Sequence, residues 1–242
     1  LTGKGRYTAD INLVNQTDAY FVRSPHARAK IKKVDISKAL KATGVVNIFT
    51  GDDIAKEKIG GLIAGWKIVS QDGKDMKVPN HPPLAKDVVN YVGDHVAVVI
   101  AETLENAKNA ADLVNVSYDI KKAIVNTSDA MKSETIHDGI EKNLCFDFIL
   151  GDKGKTEEAF SGADKIVKLD LRNNRLIPNA MEPRACIGDY NPSSDELVLY
   201  TTSQNPHLSR LVLSAFGGIH PEHKFRVVAP DVGGGFGSKI YA

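Results

Sequence analysis

Residues 231–239 read Asp231-Val232-Gly233-Gly234-Gly235-Phe236-Gly237-Ser238-Lys239, directly after a strand pattern, Phe225-Arg226-Val227-Val228-Ala229-Pro230. Glycine has no Cβ, so a run of it bends through positive φ and brings bare N–H groups against a ligand. Two phosphate motifs share this composition, and neither is met. A P-loop needs G-x-x-x-x-G-K-[ST], whereas Gly237 is followed by Ser238-Lys239-Ile240, with the lysine misplaced and no hydroxyl after it. A dinucleotide fingerprint needs G-x-G-x-x-G; from Gly233 its last position falls on Ser238, and from Gly235 on Ile240. A tight turn without a ligand is the alternative, but three successive glycines exceed what a turn requires.

Gln204 stands at a strand-to-helix junction, in Thr201-Thr202-Ser203-Gln204-Asn205-Pro206-His207. Strand ends beside helix N-termini are where polar groups converge on ligands in mixed folds. A glutamine amide donates to an oxo or carbonyl oxygen without titrating, which suits a place beside an anionic centre. A capping or surface role is the other reading. In Met181-Glu182-Pro183-Arg184, Glu182 and Arg184 offer acid/base or anion-binding chemistry, weighed against an ion pair bracing the bend before a strand at Ala185. His207 is the histidine placed to matter; Pro221, between His220 and His223, argues against a helical metal pair. Cys186, in a strand pattern, reads as a small core residue rather than a nucleophile.

The elements that must position these residues follow from periodicity. Ala19–Arg23, Ala29–Val34 and Val45–Thr50 read as strands, with a short helix over Asp35–Ala42 capped by Asp35 and ended by Gly44. Residues 51–94 predict a long surface excursion, punctuated by Gly60-Gly61, Pro79 and Pro82-Pro83. Val96–Ala101 is a buried-strand run, and Thr103 caps a helix with Leu104, Ala107, Ala111 and Val114 on one face. Val116–Asp119 is strand-like. A first domain therefore spans 1–122, a connecting segment 123–150 and a second unit 151–242. In the second unit, Lys155–Ser161 predicts a helix, and Val167, Leu169 and Leu171 alternate with Lys168, Asp170 and Arg172 as a half-buried strand. Strands at Ala185–Tyr190 and Leu197–Thr202 precede a helix capped by Asn205, with Pro206 at its first position. Leu208, Leu211, Val212 and Ala215 form its expected core face. The fold class is α+β.

Bulk properties exclude several functions. With 31 basic and 30 acidic residues among 242, no net field attracts nucleic acid or an anionic membrane. Lys30-Ile31-Lys32-Lys33 reads as the solvated face of a strand. Two cysteines, Cys145 and Cys186, cannot ligate an iron–sulfur cluster or a structural zinc by themselves. No stretch approaches the ~18 apolar residues of a membrane helix. The chain opens on Leu1 rather than Met, so a leader is left open, and both ends read as trimmed.

Together these segments resemble the large, molybdopterin-binding subunit of the xanthine dehydrogenase and aldehyde oxidase family, carbon monoxide dehydrogenase-like members included. Thr2-Gly3-Lys4-Gly5-Arg6-Tyr7 and Arg23-Ser24-Pro25-His26-Ala27 look like the opening of that subunit's α/β hammerhead domain. Tyr91-Val92-Gly93-Asp94-His95-Val96-Ala97 is similar to its next signature, departing from it at Asp94-His95. Met181–Arg184, Thr202–His207 and Gly233–Gly237 match the start of the molybdopterin domain in type and order.

The resemblance implies a hammerhead domain over 1–122 and the start of a molybdopterin-binding domain over 151–242. It implies that Gln204 hydrogen-bonds an oxo ligand of molybdenum and that Gly234, Gly235, Phe236 and Gly237 line the centre. No direct metal ligand and no catalytic residue are implied here; the carboxylate base is expected beyond Ala242, so this stretch alone is expected to be inactive. The implied cofactor is molybdenum-molybdopterin, in the cytosine dinucleotide form for a bacterial member. FAD and 2Fe-2S clusters sit on partner flavin and iron–sulfur subunits, in a cytoplasmic dimer of heterotrimers. The implied chemistry is oxidation of an aldehyde, N-heterocycle or carbon monoxide with water as the oxygen source. The alternative is a non-catalytic assembly module with a degenerate site, which would tolerate Gly235→Asp. A nucleotide-binding protein is disfavoured by the failed phosphate motifs.

Overall fold

The computed structural model describes residues 2–240. It divides into two units: residues 1–63, 80–127 and 179–242 form one, and residues 64–79 and 128–178 the other. The first contains every strand that positions the motifs above.

In that unit β1 (Asp18–Arg23) and β3 (Val45–Thr50) flank β5 (His95–Ala101), all antiparallel. As the central strand, β5 buries residues on both faces. Ala97, Val99 and Ala101 meet Ala107, Ala110 and Ala111 of α2 (Leu104–Ala111) and Ile48. Val96 points the other way, into a second core with Ala29, Ala85 and Val89. Small residues let α2 approach the sheet closely, and burying Val99 completely contributes about 2 kcal/mol. Thr103 caps α2 as expected, its hydroxyl accepting from the Asn106 N–H at 3.1 Å. A second sheet orders β4 (Val88–Val89), β2 (Ala29–Asp35) and β6 (Asn115–Ile120), again antiparallel. Its register shifts between Ile31 and Lys33, and Lys30, Lys32 and Lys33 are all exposed, the solvated face expected of them.

Two expectations fail here for local reasons. Asp35 ends β2 rather than capping a helix; its carboxylate accepts from the Ser37 N–H at 3.1 Å and from Lys33 at 2.7 Å. Only a 3₁₀ turn, Ala39–Lys41, follows. Conversely the excursion after residue 50 opens with a helix, α1 (Gly51–Lys56). The Asp53 carboxylate reaches back to the Thr50 N–H at 2.8 Å, half of a capping box.

The third sheet holds β7 (Cys186–Asn191), β8 (Glu196–Thr201) and β9 (Phe225–Val228). β7 and β8 form an antiparallel hairpin, while β8 and β9 are parallel and joined through α4 (Pro206–Ala215). A parallel pair needs such a crossover. Pro206 takes the first position of α4, as expected, but Asn205 makes no side-chain cap. The helix face also differs: Leu208 and Leu211 are 46% and 43% exposed, and Ser209 is the buried residue, bonded to Ser203 Oγ at 3.0 Å.

The second unit is built mainly of turns. Asn143 ties it together, donating to the carbonyls of Ala130 and Glu134 and accepting from the Ile136 N–H. Its one α-helix is α3 (Lys153–Ser161), capped by Asp152. The strand expected over 167–171 is not formed; Val167, Leu169 and Leu171 are 72%, 77% and 87% exposed. Their alternation is real, but among the described residues no strand pairs with them. No helix among the described residues is long and apolar enough to cross a membrane.

Candidate functional site

The third sheet explains why the motifs converge. β8 and β9 are parallel in the register Tyr200↔Val228, so their C-terminal ends lie together. β7 is antiparallel to β8, with Cys186 opposite Thr201, so its beginning lies at the same end. The segment entering β7 carries Glu182 and Arg184, the segment leaving β8 carries Gln204, and the chain leaving β9 enters the glycine loop. Ends of parallel strands beside a crossover helix are a common place for ligands in such sheets.

Gln204 and the loop are bonded to each other. Gln204 Oε1 accepts from the N–H groups of Gly237 at 3.1 Å and Lys239 at 3.2 Å, and the Gln204 N–H donates to the Lys239 carbonyl at 2.9 Å. Two main-chain donors on one oxygen fix the amide orientation. Nε2 is therefore the atom left for a ligand, and among the described residues it has no hydrogen-bond partner. The loop itself turns through left-handed backbone at Gly234 (φ 97°) and Phe236 (φ 51°). The Phe236 side chain is 75% exposed. Among the described residues, no hydrogen bond occupies the N–H groups of Gly234, Gly235 or Phe236.

Gly235 packs directly against the Gln204 side chain. A Cβ there would stand 2.3 Å from Gln204 Oε1 and 2.5 Å from its Cδ. Gly235→Asp therefore clashes whether or not the loop holds a ligand, and cannot separate an enzyme from a scaffold as expected above.

Glu182 and Arg184 are not paired with each other. The Glu182 carboxylate pairs with Lys239 Nζ at 3.0 Å and accepts the Gly233 N–H at 2.7 Å. Arg184 instead donates to the Ser238 carbonyl. Both residues thus brace the glycine loop rather than the bend into β7. Lys239, 2% exposed, is a residue of this constellation that the sequence reading does not single out as a site residue. Its only signal was position, two residues past the last glycine of the loop. The amino-terminal motif joins in too: the Arg6 N–H donates to Asp231 Oδ2 at 2.9 Å, and the Asp231 N–H to the Arg6 carbonyl at 3.1 Å.

The remaining candidates lie outside this constellation. His207 is exposed on the first turn of α4. His220 donates through Nε2 to the Asp195 carbonyl at 2.9 Å, at the far end of the sheet where β9 begins. Cys186 is exposed, a correction to its expected core position: it shares an uncovered face of β7 with Gly188 and Tyr190, while Ile187 on the other face is half-buried. Among the described residues no three His, Cys, Asp or Glu side chains gather as a metal site.

The donor set is one amide N–H and up to three main-chain N–H groups, with the neighbouring carboxylate of Glu182 matched by a lysine. Such a set suits an anionic, oxygen-rich group held by neutral donors, and so fits a molybdenum-pterin.

Residues 2–122 match the model of the aldehyde oxidase and xanthine dehydrogenase a/b hammerhead domain, and residues 136–242 that of a molybdopterin cofactor-binding domain. The nicotine 6-hydroxylase large subunit of Paenarthrobacter nicotinovorans is 34% identical over 241 residues, covering 100% of this chain and 29% of that one. The carbon monoxide dehydrogenase large chain of Afipia carboxidovorans is 33% identical over 262 residues, covering 99% and 30%. Reconstituted CO dehydrogenase from Oligotropha carboxidovorans superimposes with a TM-score of 0.88 at 32% identity, over 99% of this chain and 30% of that one. The chain thus spans under a third of the length of these relatives. It belongs to the aldehyde oxidase and xanthine dehydrogenase family, as a hammerhead domain followed by the first part of a molybdopterin cofactor-binding domain.

Proposed function

We propose that this chain supplies the hammerhead domain and the first cofactor-binding segment of a molybdenum hydroxylase large subunit. The substrate class is an aldehyde, an N-heterocycle or carbon monoxide, with water as the oxygen source. The cofactor is molybdenum-molybdopterin, in its cytosine dinucleotide form in a bacterial host. Flavin and iron–sulfur subunits take the electrons, in a cytoplasmic dimer of heterotrimers. The observation that carries this reading is the bonding of Gln204: its oxygen is taken by Gly237 and Lys239, which leaves Nε2 free.

When bound, the cofactor supplies the two-electron oxidation. The chain's own residues bind and orient it. Gln204 donates from Nε2 to an oxygen ligand of the metal, as a donor that does not titrate. Gly234, Gly235 and Phe236 offer main-chain N–H groups to the same centre. Gly237 serves it by holding the Gln204 amide in place. The carboxylate base belongs to a part of the subunit outside these residues, so the stretch alone turns nothing over.

The test is to purify the full-length subunit with its partner subunits and measure bound molybdenum and pterin. Turnover in isotopically labelled water then follows, with an aldehyde, an N-heterocycle and carbon monoxide in turn. The expected result is near-stoichiometric molybdenum and pterin, with label in the product of one substrate class. A complex that carries neither would sink the proposal.

A further inference from the structure

Among the described residues Lys239 is the bulkiest of the fully buried side chains, yet lysine is among the residues least often buried. A buried ion pair is a poor device for stability alone, because apolar residues of similar volume serve as well or better. Its placement points to another use. Nζ donates to the Glu182 carbonyl at 2.8 Å and to Glu182 Oε2 at 3.0 Å. The same Oε2 accepts the Gly233 N–H at 2.7 Å. Gly233 opens the loop and Lys239 ends it, so one carboxylate ties both ends together. Through its main chain Lys239 also grips Gln204, by its N–H at 3.2 Å and its carbonyl at 2.9 Å.

We propose that Lys239 is a positioning residue for the cofactor loop. Its ammonium, acting through Glu182, fixes the spacing of Gly233 and Lys239, and with it the N–H groups between them and the amide of Gln204. Lys239 touches no ligand itself. The cofactor side of this inference rests on the proposed function; the loop geometry does not.

The experiment uses the full-length subunit with its partner subunits, as wild type, Lys239→Met and the double variant Glu182→Gln with Lys239→Met. Three quantities are read: the thermal midpoint, hydrogen exchange of the peptide covering residues 233–239, and bound molybdenum and pterin. Lys239→Met is expected to lower the midpoint, because it leaves the Glu182 carboxylate buried without a cation. It should also speed loop exchange and reduce cofactor content about tenfold, the usual scale for a residue that orients a ligand-holding group. The double variant should recover the midpoint while loop exchange stays fast and cofactor content stays low. It also keeps the test open if Lys239→Met fails to fold. Recovery of slow exchange and full cofactor content along with the midpoint would overturn the proposal, since the pair would then only brace the fold. Unchanged loop exchange in Lys239→Met would overturn it as well. A wild-type complex without molybdenum or pterin refutes the functional reading instead, and loop exchange alone then decides the positioning role.

Discussion

Gly235 and Gln204 are in contact so close that a β-carbon on the glycine would lie 2.3 Å from the glutamine's Oε1. That oxygen is held by two main-chain donors, so the amide cannot swing aside without breaking both bonds. Gly235→Ala should therefore act on Gln204 rather than on the loop backbone. Two hydrogen bonds at about 1 kcal/mol each put the expected loss of stability near ~2 kcal/mol. Denaturant unfolding measures that cost, and molybdenum content of the full-length protein measures whether the displaced amide matters for the cofactor. Unchanged values in both would mean that the loop opens freely to admit the methyl group.

Gln204→Glu separates the two ends of the same side chain. A glutamate retains an acceptor for the Gly237 and Lys239 N–H groups, so the fold should keep its stability. It lacks the Nε2 donor and brings a negative charge toward an anionic group. Loss of one preorganised donor lowers turnover by roughly 10²-fold. The expected outcome is an unchanged thermal midpoint with kcat of the loaded complex down by about that factor. Turnover equal to wild type would remove Gln204 from the cofactor's surroundings.

The candidate site is legible in the sequence as three motifs, but not as one place. What joins them is the parallel pairing of β8 with β9, and a parallel register depends on a crossover helix rather than on any local pattern. Lys239 was legible only as a lysine in the wrong place for a phosphate loop. Its burial depends on Glu182, 57 residues away. The face of α4 was misread because periodicity counts apolar residues, whereas Ser209 is buried through a hydrogen bond to Ser203. Local signals fared better: the Thr103 cap and the β5 run fell where their residues predicted, since a cap needs only its own first turn.

Asp195 should shape the acid limb of stability. The Lys224 ammonium bonded to it at 2.8 Å, and then the Tyr190 hydroxyl at 3.0 Å, hold its carboxyl below the usual carboxylate range. A depressed carboxylate contributes stability that is fully present above its unfolded value, about 3.9, and is lost as pH falls through the lower folded value. Asp195→Asn should lower stability modestly at neutral pH, by the small amount an exposed ion pair contributes, and flatten its dependence on pH below about 4 as the two proteins converge. Asparagine also tolerates the left-handed backbone found there, φ 56°. An acid limb identical to wild type would show that this carboxylate is not perturbed.

The alternating stretch Val167, Leu169 and Leu171 carries a strand's pattern without a strand's partner, at 72%, 77% and 87% exposure. Leu176 and Ile177 add 87% and 86% nearby. Apolar side chains this exposed give no burial energy, so Leu169→Ser and Leu171→Ser should leave the stability of these 242 residues, expressed alone, within about 0.5 kcal/mol. The same substitutions should reduce binding of a hydrophobic dye to that chain, because they remove the surface the dye reads. The relatives are more than three times longer, and on the proposed function the rest of such a subunit would offer material to pair with this pattern. There the peptide over 166–172 should exchange its amide hydrogens at least tenfold more slowly than in the isolated stretch, as backbone N–H groups enter a ladder. Equal exchange in both would mean that the alternation serves no strand at all.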